Sequence, residues 1–133
     1  MSGFKIGVAA LVASMGLAAG AAPAQPPGAT VVTVQLSEYK FSPAEVDLDH
    51  GRSYILRVVD TGGKAHDLSA KAFFQTVSLA ADSAGEVKDG EVEVAMGESA
   101  DVALVPNQPG TYEMHCTHPL HAMLGMKGKI VVR

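Results

Sequence analysis

Gly110-Thr-Tyr-Glu-Met-His-Cys116-Thr-His118-Pro-Leu-His121-Ala-Met123-Leu-Gly-Met126-Lys-Gly-Lys-Ile-Val-Val132 decides how this chain of 133 residues reads. Tyr112, Met114 and Cys116 alternate with Glu113 and His115. A period of two marks a half-buried strand, and it turns Cys116 to the same face as the two large apolar residues. Pro119 and Gly125 interrupt the pattern, and Ile130 and Val132 resume it. The segment therefore reads as strand, loop, strand. The loop gathers a thiol, an imidazole and thioethers within a few residues of one another.

The same period recurs upstream. Val32, Val34 and Leu36 alternate with polar or exposed positions, as do Val46 and Leu48, then Tyr54, Leu56 and Val58. Val92, Val94 and Met96 follow, then Val102 and Leu104. Turn formers separate these runs: Ser42-Pro43, His50-Gly51, Gly62-Gly63, Asp89-Gly90, Met96-Gly97 and Asn107-Gln108-Pro109-Gly110. Short alternating strands with such punctuation predict an all-β chain, a single Greek-key β-sandwich of seven or eight strands. Ala70–Ser83 breaks the rule, because Phe73, Phe74, Val77, Leu79 and Ala80 fit neither period. A partly helical excursion is expected there.

Residues 1–24 read as a cleavable secretory signal. Lys5 is their only charge, and the run from Ile6 to Leu17 is apolar and small, too short to span a bilayer with its flanks. Ala22-Pro23-Ala24 offers a small-x-small cleavage pattern before Gln25, and Ala19-Gly20-Ala21 offers a second. The competing reading is an uncleaved anchor, and either one carries the domain out of the cytoplasm. A periplasmic or otherwise exported location is expected. Residues 25–29 form a linker, and 30–133 form the one domain. Loss of Lys5 leaves 9 Lys+Arg against 14 Asp+Glu. That acidic balance argues against nucleic acid or anionic lipid as a partner. No membrane span is expected in the mature form, and a monomer is.

Cys116 is the single cysteine. Exported domains that use cysteine for stability use it in pairs, so a lone thiol calls for another occupant of its sulfur. Thiolate, imidazole and a weak axial thioether are the ligand set of copper that alternates between Cu(I) and Cu(II). A fourth group must come from elsewhere. His66, opening a strand after Gly62-Gly63, is the candidate.

At this point the chain resembles the cupredoxins, the blue-copper family. The motifs are a Cys, a His five residues on and a Met ten residues on, running into Gly-Met-x-Gly-Lys-Ile-Val-Val. Phe41-Ser42-Pro43, Pro109-Gly110-Thr111-Tyr112 and the upstream His66-Asp67-Leu68 add to it. The loop spacing is most similar to that of rusticyanin, and the chain is broadly plastocyanin- and azurin-like. The resemblance covers the whole expected domain. It implies one type 1 copper, with His66, Cys116 and His121 as equatorial ligands and Met126 as the axial one. Asp67 stands where the family often places an Asn or Ser that bonds the Cys sulfur. The backbone amide of residue 67 would serve instead.

Blander roles compete for each residue. Cys116 alone would read as a small core residue, until His121 and Met126 stand beside it. His115 has the opposite parity and should face away from the site. His118 is expected near the site on an exposed loop, and His50 on the surface. Met123 competes with Met126 for the axial place. Met96 and Met114 are expected in the core. Asp82, Glu86, Asp89, Glu91 and Glu93 read as a solvated face. No serine stands at a nucleophile-elbow spacing, and an enzyme is not expected. Two functions follow. The first is a periplasmic carrier of single electrons between transient redox partners, with the edge of His121 as its port and Leu120, Met123 and Leu124 as its docking patch. The alternative is a protein for copper tolerance, storage or delivery between copper donor and acceptor proteins.

Overall fold

A computed structural model describes residues 28–133. The expected signal at 1–24 and most of the 25–29 linker lie outside those residues. Among them no helix is long and apolar enough to cross a membrane.

The chain runs β1 (Thr30–Ser37), β2 (Lys40–Ser42), β3 (Glu45–Leu48), β4 (Tyr54–Asp60), β5 (His66–Ser69), α1 (Lys71–Phe74), β6 (Val77–Leu79), β7 (Glu91–Val94), β8 (Ser99–Pro106), β9 (Gly110–His115) and β10 (Lys127–Val132). Two five-stranded sheets result, ordered β2-β1-β4-β8-β6 and β3-β10-β9-β5-β7. The expected β-sandwich is therefore found. Strands are exchanged between sheets as the chain proceeds, so β1 lies parallel to β4 and β3 parallel to β10. The described residues hold ten strands where the pattern predicts seven or eight. The surplus includes the three-residue strands β2 and β6 at sheet edges. They are too short to carry a visible period.

The alternating positions fill the space between the sheets. Val34, Leu36, Leu56, Val58, Leu68, Val92, Val102, Met114, Ile130 and Val132 are all buried. Removing their apolar surface from water is the main driving term, at about 25 cal/mol per Å². In the excursion after β5, α1 is a single turn that buries Phe73 and Phe74 against each other, ring centroids 5.3 Å apart. Phe73 also meets Tyr112 edge-on at 5.7 Å. The chain then returns as β6 along β8. Met96 departs from expectation. Strand β7 ends at Val94, and the turn closed by the Glu98 amide on the Ala95 carbonyl carries Met96 outward, 60% exposed.

Gly128 in β10 sits where the backbone of Ala44 crosses. A Cβ there would overlap the Ala44 carbonyl oxygen and stand 2.6 Å from the Met114 methyl. Both obstacles are held in place by the sheet and the core. Gly128→Ala is expected to cost about 1–3 kcal/mol, as overpacking does. Gly85→Ala meets nothing within 4 Å and should change stability by less than about 0.5 kcal/mol. Urea unfolding of the two variants checks the contrast.

Candidate metal centre

Strands β9 and β10 form a hairpin whose last pair is His115 with Lys127. The whole 116–126 segment is its loop. The Cys116 amide donates to the Met126 carbonyl at 3.2 Å, and the Met126 amide donates to the His121 carbonyl at 3.0 Å. These two bonds fold the loop back on itself and draw the backbones of Cys116, His121 and Met126 together at its base. The Leu124 amide also donates to the Leu120 carbonyl at 3.0 Å, which winds the tip into a turn. Leu120 takes φ 68° to enter that turn, a conformation that costs most residues energy.

The partner strand supplies the third donor. Strand β5 runs antiparallel to β9, with Ser69 opposite His115. Continuing that register past the end of β9 brings the start of β5 alongside the loop. The Thr117 amide accordingly donates to Asp67 Oδ1 at 2.9 Å, and the Thr117 hydroxyl donates to Asp67 Oδ2. His66 then meets the loop, its ring tilted 52° to that of His121. Its Nδ1 lies 3.1 Å from His121 Nδ1, and Cys116 Sγ lies 3.5 Å from the same nitrogen. All three ligand atoms fall within 4.8 Å of one another.

This donor set fits copper. Donors about 2.0–2.3 Å from one centre and spread trigonally stand roughly 3.5–4 Å apart; the 3.5 Å from sulfur to His121 Nδ1 meets this, and the 3.1 Å between the two imidazole nitrogens is a little closer. One thiol and two imidazoles suit both copper oxidation states. All three residues are buried, so the lone pairs have little water to turn to, and buried polar atoms without partners are costly. Met126 is fully buried at the base of the loop, whereas Met123 is 82% exposed at its tip. Burial thus distinguishes the two methionines.

The surroundings set the electrostatics. Burial pushes the Cys116 thiol above its ordinary value, and the carboxylates of Asp67 and Glu93 push the same way. Backbone amides of Asp67 and His118 bonded to the sulfur oppose them. Burial holds the His121 imidazole below its ordinary value, helped by His66, His118 and Lys64.

The remaining histidines separate cleanly. His115 and His50 face solvent, as their parity and turn position predict. His118 is less free than expected. Its ring stacks on His121 with centroids 5.4 Å apart and planes 19° from parallel. Its Nε2 lies 2.9 Å from Glu93 Oε1, so Glu93 is a partner of the loop as well as part of a polar face. Tyr39 meets His121 edge-on at 4.9 Å. Between them these rings leave His121 only 8% exposed, a more covered edge than a bare port. Tyr39, Glu38 and Thr117 escaped the sequence reading. The only hint was the double glycine beside His66, which reads as a plain turn until its neighbours are known.

A depressed imidazole has a signed consequence. The folded metal-free chain takes up the His121 proton at lower pH than the unfolded chain, whose value is 6.5. Its contribution to stability is complete above that pH and is lost as pH falls below it. The urea midpoint of metal-free protein should therefore drop between pH 7 and pH 5, and drop less in His121→Gln. Equal slopes in the two proteins would contradict this assignment.

Comparison with known proteins agrees with the geometry. Residues 7–132 match the family model described as a cupredoxin-like domain. The copper-resistant cuproprotein CopI of Rubrivivax gelatinosus is 30% identical over 110 residues, 78% of this chain. The chain spans 66% of the length of that curated relative. Auracyanin B superposes with a TM-score of 0.60 at 22% identity, covering 83% of this chain and 93% of the other. The reduced auracyanin of Roseiflexus castenholzii gives 0.59 at 19% identity, covering 80% and 98%. At those identities the two structures speak to fold alone. With the family match spanning nearly the whole chain and a His/Cys/His cluster suited to copper at the expected loop, this protein belongs to the cupredoxin-like copper-binding domain family.

Proposed function

We propose that this is an exported copper-handling protein that holds one copper ion at His66, Cys116 and His121, with Met126 as axial ligand, and contributes to copper tolerance, storage or delivery. The observation that carries the reading is the buried His66–Cys116–His121 cluster. Identity to a copper-resistant cuproprotein supports the tolerance role. The ten-residue interval from Cys116 to Met126, most similar to rusticyanin, supports a single type 1 site. Bound copper would supply reversible one-electron oxidation and reduction. The chain's own part is to keep the thiol and two imidazoles gathered, with water excluded from them. Export by the segment 1–24 and a binding role rather than an enzymatic one belong to the same reading. The latter rests on the single cysteine, which denies the chain a thiolate-bridged pair of coppers.

A second reading is favoured by one feature. Leu120, Met123 and Leu124 are 64%, 82% and 58% exposed around the covered edge of His121. An apolar patch beside a redox site suits brief docking of an electron donor or acceptor. On that reading the protein carries single electrons in the periplasm.

Copper titration of the mature protein should give one tightly bound ion and an intense thiolate-to-copper visible band. Cys116→Ser should abolish the band. Met126→Leu should keep the colour and raise the reduction potential. Deleting the gene should lower growth in copper-supplemented medium, and the Cys116→Ser gene should fail to restore it. Unchanged growth of the deletion strain, together with fast reversible reduction of the wild type, would favour the electron carrier instead.

A further inference from the structure

We propose that Glu38 is a positioning residue for the metal centre, a carboxylate that fixes the ring of His66 and lowers the reduction potential of the copper it holds. The inference rests on the reading of His66 as a copper ligand. It assigns a role to a residue that neither the loop motif nor the family match singles out.

His66 is fully buried. Its Nδ1 faces His121 Nδ1 at 3.1 Å, on the side where the donors converge. An imidazole that binds metal through Nδ1 carries its proton on Nε2, and that N–H needs an acceptor. Here Nε2 is buried without a hydrogen-bond partner. The carboxylate facing it is that of Glu38, with Oε1 at 3.5 Å. A shift of a few tenths of an ångström turns this contact into a charge-assisted hydrogen bond.

The carboxylate is anchored for that purpose. Glu38 Oε1 accepts from the Gly63 amide at 2.7 Å. On the same turn, the Gly62 amide donates to Asp60 Oδ1 at 2.8 Å, which holds the loop from the other side. Gly62 itself makes room. A Cβ there would stand 2.8 and 2.9 Å from the two Glu38 oxygens and 3.0 Å from His66 Nε2. The double glycine before His66 is thus a seat for a carboxylate beside the ring, as well as a turn. Glu38 comes from the segment between β1 and β2, so the bridge ties the first sheet to the strand that carries His66.

An anion at the outer nitrogen of a ligating imidazole fixes the tautomer and makes the inner nitrogen a better donor. A better donor favours Cu(II) over Cu(I), because the more highly charged ion gains more from it. Removing the charge should weaken Cu(II) binding relative to Cu(I) about tenfold, at the low end for such outer partners. For a one-electron couple that ratio is a rise of about 59 mV in potential.

Three proteins test this. Glu38→Gln keeps an oxygen for the Gly63 amide and loses the charge. Glu38→Ala loses both. Copper loading and the visible spectrum of the wild type come first, and failure there overturns the copper reading itself. With wild type loaded, Glu38→Gln is expected to melt at the wild-type temperature in the metal-free state while its potential rises by the stated amount. Glu38→Ala is expected to show the same rise together with loss of the protected His66 Nε2–H resonance in nitrogen-15 spectra of the metal-free protein. A wild-type potential in Glu38→Gln, with only Glu38→Ala destabilised, would make Glu38 a structural brace and overturn the inference.

Discussion

The antiparallel pairing of β5 with β9 is the constraint on which the centre depends. Cys116 and His121 share one loop and would be neighbours in many folds. His66 is fifty residues from Cys116, and only the register that sets Ser69 opposite His115 brings its ring to the thiol. Asp67 secures that register beyond the last ladder pair by accepting from both the amide and the hydroxyl of Thr117. A buried carboxylate satisfied this way is a strong local clamp. It lies beside the sulfur, so a structural contact and an electrostatic one are made by the same residue.

The sandwich holds this arrangement still because its core reaches to the site. Leu68 follows the first ligand strand inward, and Met114 precedes Cys116 on the same face. Close-packed interiors resist the displacement of any one side chain. The ligand strand is held from both flanks, by β7 through the pairs His66–Val94 to Ser69–Glu91 and by β9 at its far end. A donor set that is already gathered needs little rearrangement on binding a metal. That economy serves equally a protein that keeps copper safe and one that passes electrons.

Around the donors lies a layer of rings and carboxylates that governs access. His118 stacks on His121, Tyr39 meets the same ring edge-on, and Glu93 holds His118 in place. The exposed Leu120, Met123 and Leu124 lie outside this layer. The polarity of the centre changes over a short distance, from two imidazoles and a thiol within to an apolar rim without. The carboxylate of Glu38 stands against His66. The two imidazoles of the cluster therefore differ in surroundings, one beside an anion and one against aromatic rings.

Much of this was legible before any coordinate. That Val34 and Leu36, Val92 and Val94, and Met114 and Cys116 each share one face is a local consequence of strand geometry, and the core followed it. The Cys116–His121–Met126 spacing is likewise local, since a hairpin loop keeps its own residues together. Met96 misled because alternation cannot show where a strand stops and a turn begins. The 70–83 segment read poorly because one helical turn and a three-residue edge strand are too short to show a period. Tertiary structure alone decided the rest: that Thr117 bonds Asp67, that His118 stacks on His121 and pairs with Glu93, and that Glu38 faces His66. Those contacts join residues brought together by sheet order and register, and a linear pattern holds no record of which distant side chains the fold will set side by side.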